Sequence, residues 1–280
     1  MFNGCTKLST IKCLATDISA TGALTDWTNG VASKGTFCKA YAKTWPTGTS
    51  GIPTNWTTCD IRDNNILALA FQTAGTIKIA KVSSSTDFQP NISMSINSTS
   101  SWQTFGSGRS FDTTYNISKG QVVYFKGNNP DGLNKSNTDY LQFAITGTVA
   151  AFGSIMSLID DGVGTTTTIP NERCFAELFR NTTITRAPEL PATTLTRYCY
   201  LNMFRNCPAL TVAPNLPAET LAPNCYQSMF NGCTKLVSVN LPAETLASAC
   251  YNQTFVGCTS LTNISLPAAT LVDSCYNIMF

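Results

Sequence analysis

The chain has 280 residues, 43% hydrophobic but only 12% charged, with 18 basic against 16 acidic side chains and no histidine. A net charge of +2 without a basic run argues against general nucleic-acid binding or anchorage on an anionic membrane. The missing imidazole excludes Ser-His-Asp and Cys-His catalysis and every zinc site that uses histidine.

The first element is part of a repeat. Met1-Phe-Asn-Gly-Cys-Thr-Lys-Leu8 is identical to Met229–Leu236, and the same alignment sets Leu8, Ile11 and Cys13 on Leu236, Val239 and Leu241. Beyond Cys13 the pattern decays into Trp27, Gly30, Gly35, Trp45, Gly48, Gly51 and Pro53 and stops near Trp56. Residues 1–58 are expected to form one repeat coil followed by a terminal cap. A cap hides the apolar end and the free strand edge of a stack.

Residues 59–168 lack the repeat and read as strands. Ile66–Ala70, Thr76–Val82, Ile92–Ile96, Asn116–Phe125 and Leu141–Thr148 are β-branched or alternating runs, bounded by turn-rich stretches at 106–108 and 127–132. Five short strands in a segment of this length suit a β-sandwich, with Trp102 and Tyr124 in its core or between its sheets. The stretch from Ser157 to Pro170 is expected to fuse this domain to the next, with the join packed.

Residues 169–280 are periodic. Cys174, Cys199, Cys225, Cys250 and Cys275 are 25, 26, 25 and 25 residues apart, each followed by Phe or Tyr and, five residues on, by Phe. A second cysteine stands at Cys207, Cys233 and Cys258, and Leu-Pro-Ala recurs from Leu190, Leu216, Leu241 and Leu266. One such coil cannot bury its apolar stripe alone, whereas stacked copies bury it against each other. The spacing predicts a solenoid: a short strand over Leu236–Leu241 pairing with its copies, ended by proline, and a short helical or 3-10 turn at Cys-Tyr-x-x-x-Phe on the opposite wall.

The block from Leu241 to Leu261 (Leu-Pro-Ala-Glu-Thr-Leu-Ala-Ser-Ala-Cys-Tyr-Asn-Gln-Thr-Phe-Val-Gly-Cys-Thr-Ser-Leu) resembles the BspA-type leucine-rich repeat. That family is found on bacterial and protist surfaces and in phage-associated genes. The resemblance covers residues 171–280 and implies a right-handed leucine-rich-repeat β-solenoid used in attachment or recognition. Residues 1–58 resemble the tail that closes such arrays, and the middle segment, more weakly, the small β domain that precedes them. The expected fold is mainly β: a leucine-rich-repeat β-solenoid of about 25-residue coils joined to a β-sandwich, divided 1–58, 59–168 and 169–280.

The twelve cysteines admit stacked interior thiols, disulfides or a metal site. Thr182 replaces the second cysteine in the first coil and Cys13 replaces a leucine, so these positions behave as small interior sites rather than bridge partners. Cys38 and Cys59 lie outside the ladder and are candidates for a pair. Cys-x₇-Cys is not zinc spacing.

Catalytic vocabulary is thin. Asp160-Asp161 before Gly162 reads as a turn rather than a carboxylate pair, with Glu172, Glu177 and Glu189 scattered nearby. Asp131 in the 127–132 loop lacks the spaced acids of a calcium loop, and Gly106–Arg109 lacks the Lys-Ser/Thr of a phosphate loop. Eight Asn-x-Ser/Thr sequons matter only if a eukaryote secretes the chain.

If Leu236, Val239 and Leu241 point inward, Ser238 and Asn240 point outward, with equivalents Arg186, Glu189, Asn215, Asn263 and Ser265. This polar, nearly uncharged face suits glycan or protein binding. The tyrosine column Tyr200, Tyr226, Tyr251 and Tyr276 is a rival surface. Met279-Phe280 aligns with Met1-Phe2, so either the chain is a unit of a longer tandem array or copies associate end to end through Met1, Phe2, Met279 and Phe280. The expected function is a non-enzymatic adhesion or recognition module without cofactor, at a cell surface, secreted or on a phage virion. The alternative is a structural subunit of a filament, tandem-repeat fibre or phage tail fibre. No apolar run reaches about 18–20 residues, the length of a membrane helix, so membrane insertion is not expected; nor does a secretory signal pattern follow Met1.

Overall fold

The computed structural model describes residues 2–13, 21–40, 45–61, 65–83, 85–99, 101–105 and 110–280. It divides into two compact units, Met1–Asn64 and Asn65–Phe280. The described chain is mainly β, in three open sheets with one 3-10 turn. Met1 and the 106–109 loop lie outside the described residues.

In the first unit, β1 (Thr10–Cys13), β2 (Thr36–Ala40) and β3 (Thr57–Ile61) form a parallel sheet in that order. Thr10 stands opposite Thr36, and Thr36 opposite Thr57, so each strand is one rung further along. Ile11 and Phe37 face inward onto Trp27, Trp45, Ile52 and Trp56. The tryptophans of the expected cap are therefore the core of this unit. Trp27 takes the rung after Phe2: their rings are 5.8 Å apart and the Phe2 N–H donates to the Trp27 carbonyl at 2.7 Å. Indole donors need partners when buried, and Trp27 Nε1 reaches the Gly51 carbonyl at 3.2 Å while Trp56 Nε1 reaches that of Ala32 at 2.8 Å. Gly51 is required because a Cβ there would run into the Pro46 carbonyl. Cys38 is disulfide-bonded, and its strand register sets it opposite Cys59.

The second unit begins with two facing sheets. One has six strands in the order β12-β11-β4-β9-β6-β7, where β4 is Leu67–Phe71, β6 Ile92–Ile96, β7 Gln103–Thr104, β9 Val122–Gly127, β11 Val149–Phe152 and β12 Ile184–Arg186. The other is β10-β5-β8, from β5 (Gly75–Val82), β8 (Tyr115–Ile117) and β10 (Tyr140–Ile145). Alternation sends Ile77 and Ile79 of β5, and Leu141, Phe143 and Ile145 of β10, into the space between. There Phe143 meets Phe125 of β9 at 5.0 Å.

Two sequence expectations change here. The run Asn116–Phe125 is two strands, because Gly120 takes φ +85° and its N–H turns back to the Phe71 carbonyl. The halves, β8 and β9, belong to different sheets. Trp102 is only half-buried, with its indole N–H on the Thr99 carbonyl and Lys126 Nζ 5.4 Å from its ring centroid. Tyr124 is buried.

The join to the repeats is packed. Ile155–Leu158 forms a fully buried 3-10 turn, and the Ser157 hydroxyl accepts from Leu67 N–H at 2.9 Å. β12, from the first coil, pairs in parallel with β11, and Phe179 packs on Phe143 at 5.0 Å. One continuous core thus runs from the sheets into the repeats.

The repeats themselves are held differently from expectation. The Cys-Tyr-x-x-x-Phe wall is neither helical nor 3-10. It is a chain of four-residue turns in which every fourth residue has positive φ: Arg173, Glu177 and Asn181 in the first coil, Tyr198, Asn202 and Asn206 in the second. That twist aims alternate N–H groups along the stack. Tyr200, Asn202, Phe204 and Asn206 donate to Cys225, Gln227, Met229 and Asn231 at 3.0, 3.0, 3.0 and 2.7 Å, and the next coil repeats the pattern from Tyr226. The Leu236–Leu241 wall, by contrast, forms no continuous ladder; coils meet there through isolated parallel bridges such as Arg186↔Val212 and Ser238↔Asn263. Proline in each Leu-Pro-Ala removes a donor from that wall, so the turn wall carries the regular coil-to-coil hydrogen bonding.

Inside, Phe179, Phe204, Phe230 and Phe255 stack at 5.7–5.8 Å. Phe175, Tyr200, Tyr226 and Tyr251 form a second column at 5.7–6.0 Å. Each such pair adds about 0.5–1.5 kcal/mol beyond simple burial.

Candidate recognition surface

The stack organises its exposed side chains into rows. Ile184, Leu210 and Leu236 are fully buried, as are Leu190, Leu216 and Leu241, and the stretch between each pair carries exposed side chains. Arg186, Glu189, Asn215, Ser238, Asn240, Asn263 and Ser265 are all exposed. Backbone bridges keep Arg186 beside Val212 and Ser238 beside Asn263, and the repeat offset sets Glu189, Asn215, Asn240 and Ser265 in a second row.

One end of this face is fixed by the sheets. The Glu189 N–H donates to the Gly153 carbonyl at 2.7 Å and its carbonyl accepts from Ile155 at 3.1 Å. The Arg186 guanidinium lies 5.3 Å from the Phe152 ring centroid. Phe152, Val212 and Val237 are 44%, 49% and 48% exposed, so the surface alternates polar side chains with apolar ones. Val212 was legible from the repeat offset. Phe152 was not, because it comes from a strand outside the repeats.

A second cluster, on the turn wall, was missed in the sequence. Arg173 and Arg197 lie 4.4 and 4.8 Å from the Tyr198 ring centroid, and Arg180 is paired with Glu177 at 2.9 Å. Glu177 also accepts from Asn202 Nδ2 at 2.6 Å. A cavity of about 200 Å³ beside them is lined by Ser136, Tyr140, Arg173, Glu177 and Arg180. The repeat offset of 25 residues sets Tyr198 beside Arg173 and Asn202 beside Glu177, whereas Ser136 and Tyr140 come from outside the repeats and no sequence pattern joined them to the cluster.

The tyrosine column is not a surface. Tyr200, Tyr226 and Tyr251 are 1–2% exposed, and only Tyr276 is half-buried. Burial pushes the Tyr200 and Tyr226 hydroxyls well above the ordinary phenol range.

All eight cysteines of the second unit are free, and seven of them are buried or nearly so. Burial pushes Cys174 up to about 12 and Cys207, Cys250 and Cys258 up to about 11. These are protonated interior groups rather than nucleophiles. No group of three or more His, Cys, Asp or Glu side chains among the described residues is arranged to hold a metal ion.

The scattered acids have local partners. Asp160 accepts from Gly164 N–H at 2.7 Å and from the Thr166 hydroxyl at 3.0 Å, which closes the turn. Asp161 takes φ +57° and pairs with Lys126 at 3.5 Å. Asp131 is exposed on its loop. Of the residues at the two ends, Phe2 is half-buried on Trp27, Met279 is buried and Phe280 is 65% exposed. No helix among the described residues is long and apolar enough to cross a membrane. Comparison with protein-family models, with curated proteins and with solved structures finds no match to this chain.

Proposed function

We propose that this chain is a non-enzymatic recognition module of a cell surface, a secreted protein or a phage virion. In this reading its repeats are BspA-type leucine-rich-repeat coils of a β-solenoid, joined to a β-sandwich. The observation that carries the function is the pair of exposed rows at equivalent repeat positions, Arg186–Val212–Ser238–Asn263 and Glu189–Asn215–Asn240–Ser265, the first tied by backbone bridges between Arg186 and Val212 and between Ser238 and Asn263.

Such a surface repeats one small set of hydrogen-bonding and apolar groups at a fixed spacing. Its natural partner is itself extended and repetitive, a surface glycan or a protein strand. Each coil contributes a weak contact, and several coils acting on one ligand raise the avidity without any single strong site. Arg186 above Phe152 supplies the one cationic, partly apolar anchor on this face.

The test is a glycan and matrix-protein binding screen with the full chain beside Arg186→Ala, Asn240→Ala and Asn263→Ala combined. Loss of the captured ligand in the triple variant supports the reading; unchanged capture moves binding off this face. A hydrolytic activity on a captured glycan, abolished by Asp160→Asn with Asp161→Asn, would overturn the non-enzymatic assignment.

A further inference from the structure

We propose that the cavity between the turn wall of the first coil and the loop before β10 binds one acidic sugar residue, its carboxylate held by Arg173 and Arg180. The site rests on the glycan reading of this chain and names the sugar class, but it uses none of the exposed rows.

The cavity is built by specific hydrogen bonds. Asn134 is fully buried; its side chain donates to the Ala176 carbonyl at 2.9 Å and accepts from the Leu141 N–H at 2.9 Å. Asn171 Nδ2 donates to the Asn134 carbonyl at 2.7 Å, and Gln142 Nε2 to that of Arg180 at 2.9 Å. Loop, β10 and coil are thus pinned together around the opening, so a ligand has little left to order. On the coil side, Arg173 and Glu177 occupy successive positive-φ positions, at +60° and +66°, and both line the cavity.

The lining is short of negative charge. Two arginines and one carboxylate border the space of about 200 Å³, together with Ser136, Asn137 and Tyr140. Glu177 is already engaged: one oxygen accepts from Arg180 Nη1 at 2.9 Å and the other from Asn202 Nδ2 at 2.6 Å. Arg180 Nη2 keeps its donors without an acceptor among the described residues. Arg173 has no hydrogen bond or ion pair among them; its guanidinium lies 4.4 Å from the Tyr198 ring centroid, which Arg197 also approaches, at 4.8 Å. An aromatic face orients a guanidinium but does not neutralise it. Asp139, on the loop, accepts from the Ser83, Ser136 and Thr138 hydroxyls instead of from either arginine.

A carboxylate meets a guanidinium through two parallel N–H···O bonds, a geometric match as well as a charge match. The Asn137 amide and the Tyr140 hydroxyl border the same space and have no side-chain partner among the described residues, so they are free to pair with ring hydroxyls. No exposed large apolar side chain lines it, which favours a sugar over the apolar stem of a peptide side chain. Its volume falls below the roughly 300 Å³ at which pockets for drug-sized ligands begin, so it admits one ring rather than an oligosaccharide.

The test is titration of the full chain with methyl β-D-glucuronide and with its neutral isostere methyl β-D-glucoside, read by amide chemical shifts and by calorimetry. The glucuronide is expected to bind in the millimolar range, and the glucoside at least about tenfold more weakly. Arg173→Asn removes the charge with a residue that accepts positive φ, and is expected to weaken the glucuronide at least about tenfold. Asn137→Asp, at an exposed loop position, sets a repelling charge at the cavity and is expected to do the same, which keeps the test open if Arg173→Asn does not fold. The row variant Arg186→Ala, Asn240→Ala, Asn263→Ala is expected to bind the glucuronide as wild type does.

Equal affinity for the two glycosides, no binding of either, or glucuronide binding that survives both pocket substitutions overturns the proposal. Equal displacement of the glucuronide by inorganic sulfate or by N-acetylglutamate amide overturns the sugar assignment, since neither offers ring hydroxyls. Glucuronide binding that depends on Arg173 while the row variant keeps its captured ligand removes the row reading alone. Row-dependent capture without glucuronide binding removes this one alone.

Discussion

The Cys207 thiol donates to the Phe179 carbonyl of the preceding coil at 3.0 Å. The second cysteine of each repeat is thus a small interior donor to a carbonyl of the preceding coil, whereas Thr182, at the same position of the first coil, donates within its own coil, to the same Phe179 carbonyl at 2.8 Å.

Cys233→Ala therefore leaves the Phe204 carbonyl without its thiol donor and is expected to cost about 1–3 kcal/mol. Cys233→Ser keeps a donor and is expected to cost less. Urea midpoints of the two variants decide; equal losses would mean the thiol acts by volume alone.

Stability should fall in alkali. Cys174 is pushed up to about 12 by burial, and Cys207, Cys250 and Cys258 to about 11. Below the ordinary thiol range both states hold these protons and the contribution is complete. Above it, the unfolded chain releases protons that the folded chain keeps, so stability declines as pH rises through the native values. For a fully buried thiol such as Cys174 the slope approaches about 1.4 kcal/mol per pH unit within that window. Urea midpoints flat from pH 6 to 8 and falling beyond are expected; a flat profile to pH 10.5 would show the thiols to be solvated.

The positive-φ positions set a substitution rule. Gly232 has φ +78° and follows Asn181 and Asn206 at φ +60° and +55°, which are joined by an amide hydrogen bond at 3.1 Å. Gly232→Asn is expected to be tolerated, since asparagine adopts this conformation and can extend the amide row. Gly232→Val is expected to lose more than the roughly 1–2 kcal/mol that a left-handed conformation imposes on an ordinary residue. Thermal unfolding of the pair checks it.

Reductant should separate the two units. Cys38 in the first unit is disulfide-bonded, and every cysteine of the second is free. Losing a disulfide typically costs about 2–4 kcal/mol. Mild reduction is expected to lower the transition of the first unit and leave that of the second in place. A common shift of both would contradict this.

Much of the second unit was written in the sequence. A period near 25 with cysteine, aromatic and leucine at fixed offsets requires that equivalent residues sit above one another, and the columns Phe179–Phe255 and Tyr200–Tyr251 do so. Outward positions were placed from the repeat's buried leucines, and all seven proposed surface residues are exposed. The core strands of the middle segment were also visible, because β-branched runs bounded by turns have few other ways to bury one face.

The sequence by itself determined which residues repeat and which face inward, because periodicity dictates equivalence. Tertiary structure decided how the coils are joined. Backbone N–H groups carry no sequence signature, so nothing in Cys-Tyr-x-x-x-Phe announced turns with every fourth φ positive or hydrogen bonds running between copies of that segment. It also split Asn116–Phe125 between two sheets, drew β12 into the six-stranded sheet, and brought Phe152 under Arg186. Each of these depends on contacts between distant residues, which only the folded chain brings within reach.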